Sequence, residues 1–104
     1  MRRGTTPINT FTVPLDLSQA TVFISYEQNN HVVVEKTGED LVFGTDGEGY
    51  TITVNLTQED TLSFVPGEVL IQIRYVFPTG DADASNIIRT TAKRIIKDGV
   101  IHAV

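Results

Sequence analysis

The segment that most restricts this chain is EVLIQIRYVF, residues 68–77. Val69, Ile71, Ile73, Tyr75 and Phe77 recur at every second position, so an extended backbone places all of them on one face. The opposite face carries Glu68, Leu70, Gln72, Arg74 and Val76. One wholly apolar face and one mixed face mark a strand in a sheet that is packed on one side. This is the longest β signal in the chain, and it is expected to be a central strand.

Shorter alternating segments surround it. Residues 8–13 follow Pro7 and carry Phe11 and Val13 on one face. Residues 21–27 present Val22, Ile24 and Tyr26, and residues 31–36 return across an Asn29-Asn30 turn to make a hairpin. Residues 41–43 read as a short edge strand and 44–49 as a glycine-rich mobile loop. Residues 50–56 place Ile52, Val54 and Leu56 inside. Thr57 can cap a single helical turn, with Asp60 at the capping-box position. Beyond a turn at 78–83, residues 84–96 form the last strand, bulged because no single parity fits it. There Ile88, Thr90 and Ala92 suit the interior.

With 104 residues the chain is expected to be one domain, able to bury roughly 60–70% of its unfolded surface. Residues 1–6 read as a flexible arm and 99–104 as an apolar tail. About seven strands, with one helical turn before the penultimate strand, predict an all-β, immunoglobulin-like two-sheet antiparallel sandwich. The chain has no Cys and no Trp, so it is not an antibody-type domain, and disulfide and thiolate chemistry are excluded. No apolar run approaches the roughly 20 residues that span a bilayer. No apolar stretch follows Arg2 and Arg3, so neither export nor a membrane partner is expected.

Net charge is −5, which argues against nucleic acid as a partner. The charge is unevenly placed. Every acid except Asp98 lies between Asp16 and Asp83, and every base except Lys36 and Arg74 lies near an end: Arg2, Arg3, Arg89, Lys93, Arg94 and Lys97. The bland reading of the run from Arg89 to Lys97 is a solvated strand face that protects a sheet edge. The sharper reading is a stripe that docks on the acidic body of a neighbouring copy or partner, with the basic ends near opposite poles of the sandwich. Val100 and Ile101 in the tail either fold over the sandwich end or add a strand to a neighbour.

Enzymatic chemistry is not expected. His31 and His102 lie far apart in sequence, and no serine sits in a nucleophile-elbow setting. Asp81 and Asp83 offer too few ligands for calcium and read as a solvated turn. No cofactor is expected, because the loop at 44–49 lacks the lysine and spacing of a phosphate-binding loop.

The opening MRRGTTP with Phe11-Thr12, then Tyr26, Glu35-Lys36-Thr37, LTQEDT at 56–61, IQIR at 71–74 and KDGVI at 97–101 resemble a family of small uncharacterised prophage proteins from Firmicutes. Nearly the whole chain is covered, and the ends are the most specific parts. The family stops near Val100-Ile101, whereas this chain adds His102-Ala103-Val104. The resemblance implies a phage structural or assembly protein of the tail or baseplate, made in the host cytoplasm and then built into the virion. Its partners would be other virion proteins or further copies of itself. A second reading is a small module that binds a host-surface ligand through the loops at 44–49 and 78–83.

Overall fold

In the computed structural model, which describes residues 1–103, the alternating segments become strands β1 (Ile8–Val13), β2 (Thr21–Gln28), β3 (His31–Thr37), β4 (Leu41–Thr45), β5 (Tyr50–Asn55), β6 (Gly67–Val76), β7 (Ala82–Ala84) and β8 (Ile88–Ala92). The capping motif becomes a one-turn helix, α1 (Gln58–Leu62). The last residue of the tail, Val104, lies outside the described residues.

The strands make two antiparallel sheets. One has the order β1-β5-β4. The other runs β3-β2-β6, and both β7 and β8 pair with the far edge of β6. This is an all-β two-sheet antiparallel sandwich. Strand β6 is hydrogen-bonded on both edges, to β2 on one side and to β8 then β7 on the other. Its inward residues Val69, Ile71 and Ile73 are buried. They pack in one core with Val22, Ile24 and Tyr26 of β2 and with Ile52 and Val54 of β5. Leu17, Leu56 and Phe64, supplied by connections, are also fully buried there. The β2–β3 hairpin turns through Asn29 and Asn30 at φ 52° and 65°. That is the pair of positive φ values a tight two-residue hairpin requires, and asparagine tolerates it.

Four features differ from the sequence reading. First, the last strand is not continuous over 84–96. It is split into β7 and β8, and its ladder ends at Ala92. Second, the loop at 44–49 is a short tied turn. Strand β4 runs on through Thr45, and Asp46 Oδ1 accepts the N–H groups of Glu48 and Gly49. Third, residues 1–6 are not a loose arm. Met1 to Arg3 lie parallel to the chain at Lys93, with Lys93 N–H donating to Met1 O at 2.8 Å and Arg3 N–H to Lys93 O at 3.0 Å. Fourth, the same pairing puts the basic start and the basic end of the chain together, not at opposite poles. A parity argument over whole strands could not anticipate a pairing of so few residues.

Truncating Ile71 or Ile73 to Ala is expected to cost about 2–5 kcal/mol, as for other buried branched side chains, measured by denaturant unfolding. A cost below about 1 kcal/mol would show that β6 does not carry the core.

Candidate docking surface

One end of the sandwich is held by side chains that bond to backbone. The guanidinium of Arg3, 17% exposed, donates to the carbonyls of Phe64 at 2.6 Å and Leu62 at 3.0 Å. These carbonyls lie at and just beyond the last residue of α1, where no intrahelical donor remains and a cation is favoured. Buried Thr61 donates its hydroxyl to Thr5 O at 2.8 Å. Gly4, at φ +74°, sits so close beneath Ile95 that a Cβ would lie 2.9 Å from its Cδ1. The positive φ is what calls for glycine here, since Ile95 Cδ1 is the movable end of a side chain.

Asp60 completes this end. Its carboxylate accepts the N–H of Thr57 and pairs with Lys36 Nζ, each at 2.8 Å, while its own N–H donates to Thr57 Oγ1. Lys36 stands opposite Ile24 on the inward side of β3, which is why it reaches α1. Partial burial works against the charged carboxylate of Asp60. The hydrogen bonds from Lys36 and Thr57 outweigh it and hold the group below its ordinary value of 3.8. Burial pushes the Tyr26 phenol up, against the hydrogen bond it receives from Asn9.

Two glutamines make equivalent latches. Gln28 both donates to Val65 O and accepts Val65 N–H, at 2.8 and 2.9 Å. Gln58 does the same with Ile101, at 2.9 Å each way. An amide side chain offers the donor and acceptor of a peptide group, so each latch extends backbone pairing where no strand is present.

The long side of the sandwich is open. Among the described residues strand β1 pairs only with β5, and its residues 10–13 line the seam between the sheets together with residues of β6 and β7. The opposing edge is interrupted at Ser85, between β7 and β8. There the Ser85 N–H donates to Ile73 O at 2.8 Å, and the Ser85 hydroxyl accepts the Ile73 N–H at 3.0 Å in place of a ladder carbonyl. The freed Ser85 carbonyl takes the Gln72 amide at 3.0 Å. A side chain thus substitutes in the ladder and breaks the strand in two. The result is a cleft of about 750 Å³ whose walls include Phe11, Leu15, Ile73, Tyr75 and Ile88, with Asp83 on its rim. A smaller hollow of about 190 Å³ continues it past Phe77 to Asp81. Tyr75 and Phe77 meet edge to face there, with ring centres 5.7 Å apart.

The residues singled out from sequence divide into two groups. Arg2, Lys93, Arg94 and Lys97 are exposed, and none has an acidic partner within ion-pair distance among the described residues. Arg2 and Arg94 are brought together, the guanidinium of Arg2 donating to Arg94 O at 2.8 Å. Arg3 is a structural clamp rather than a free docking charge. Arg89 stands apart in an exposed pair with Glu68. Val100 and Ile101 are partly exposed, but the latch from Gln58 lays the tail against α1. Between these bases stands Ile96, 94% exposed in a bend. Sequence reading missed it, together with the seam. The one signal was the failure of parity across 84–96.

No protein-family model matches this chain, and no curated protein and no solved structure matches it.

Replacing Arg3 with Ala is expected to cost about 1.5–3 kcal/mol, the range for hydrogen bonds to a charged group, and to raise amide exchange in residues 1–6 before that in β6. Because the Asp60 pKa is lowered on folding, its contribution is complete above pH 3.8 and is lost as pH falls below that value. Asp60→Asn should therefore lower stability at neutral pH by about 1–2 kcal/mol, between the exposed and buried limits for ion pairs. It should also flatten the acid limb of the unfolding curve.

Proposed function

We propose that this protein is a non-enzymatic structural or assembly component of a phage particle, in the tail or baseplate, and that it works through protein–protein contacts. The observation that supports this reading is the open seam. A cleft of mixed apolar and polar lining lies between a strand edge with no partner among the described residues and a broken strand that leaves Ile87 and Ile88 exposed. Such an arrangement suits recognition of an extended or protruding segment of another chain, with edge hydrogen bonds giving affinity and apolar pockets giving selectivity. The exposed apolar residues Val32 and Val42, by contrast, are single side chains on other strands and need no explanation.

The phage assignment rests on the resemblance carried by MRRGTTP, LTQEDT and KDGVI. On that reading the protein is made in the host cytoplasm and ends in the virion. After prophage induction the tagged protein is expected to co-sediment with particles. Deletion of its coding sequence should halt assembly at a defined stage. Complete, infectious particles that lack the protein would refute the proposal.

A further inference from the structure

Along β6 the two ends of the seam carry opposite charge. Val76 pairs with Ala82, so Asp81 and Asp83 lie at one end. Gly67 pairs with Ala92, so Lys93, Arg94 and Lys97 follow at the other. Asp81 and Asp83, like Arg94 and Lys97, have no oppositely charged partner among the described residues. Strand β6 has 10 residues, so these ends are separated by about 30 Å at the usual rise per residue. Within one molecule they cannot neutralise each other.

The basic end also carries the most exposed large apolar side chain, Ile96, flanked by charges opposite in sign to those on the cleft rim. The acidic end has the complementary feature, an apolar hollow at Tyr75 and Phe77 bordered by Asp81 and Asp83. Resting on the assembly reading above, we propose that the occupant of this hollow is a second copy of the chain. Ile96 of one copy inserts beside Tyr75 and Phe77 of the next, with Arg94 and Lys97 facing Asp81 and Asp83. The contact is heterologous, since the donating and accepting surfaces differ. It therefore propagates head to tail and produces rings or open chains, not a closed twofold dimer. The net charge of −5 on each copy opposes this association in bulk and favours the one orientation that brings the opposite ends together.

The test is solution mass by light scattering across a concentration series. Wild type is expected to grow beyond a dimer with concentration. Ile96→Asp, at a site that contributes nothing to the core, should remain a folded monomer. Arg94→Glu/Lys97→Glu and Asp81→Lys/Asp83→Lys should each be monomeric alone and should associate when mixed, because each then meets its opposite. A wild type that stays monomeric throughout overturns the proposal. So does association that persists through Ile96→Asp and both charge reversals. A monomeric wild type that still co-sediments with particles overturns self-docking and leaves the assembly reading standing. An associating protein missing from complete particles does the reverse.

Discussion

The rest of the structure depends on β6 being hydrogen-bonded along both edges while its alternate residues fill the core. Strand β2 occupies one edge, and β8 then β7 occupy the other. The inward set Val69, Ile71 and Ile73 is buried against the second sheet. A shift of one residue in the register would exchange these for Leu70, Gln72 and Arg74 and place a cation and an amide in the core. The period of two therefore fixes both the partners and the facing of β6. Strands β2, β7 and β8 pair with it directly, β3 is added beyond β2, and the β1-β5-β4 sheet lies across the core.

The ends of the sandwich are closed by polar contacts rather than by more apolar surface. Arg3, Thr61, Gln28 and Gln58 each bond to backbone groups outside their own strand or turn, and Asp60 joins its own helix cap to Lys36 of β3. No buried side-chain nitrogen or oxygen among the described residues lacks a partner, which is the condition for burying such groups at little cost. The long side follows a different logic. At Ser85 the hydroxyl replaces a carbonyl in the ladder, and the strand is interrupted between β7 and β8. The closed ends and the open side thus come from the same competition between side chains and backbone for hydrogen bonds.

Periodic features were legible in the sequence. The core residues of β2, β5 and β6, the Asn29-Asn30 turn and the Thr57–Asp60 cap all follow from short-range rules, and each is present. What was not legible depends on long-range geometry. The segment from Met1 to Thr6 is polar and contains glycine, so it reads as loose. It is held because Arg3 finds carbonyls 59 and 61 positions away. The break between β7 and β8 was visible only as a conflict of parity, and the role of Ser85 in producing it had no local signature. The basic residues were recognised as a group, but their side of the molecule was misplaced. A parallel pairing at a single position, Arg2 with Lys93, brings the two termini together.

The central claim is that the seam between β1 and β8, rather than an outer sheet face, is the surface through which the protein acts. Residue-resolved amide hydrogen exchange at low and high protein concentration tests it most directly. The amides of β6 should exchange slowest at every concentration. Protection should rise with concentration at Tyr75 to Phe77, at Asp81 to Asp83 and around Ile96. Concentration-dependent protection confined to β3 and β4 would contradict the account, and none anywhere would overturn self-docking.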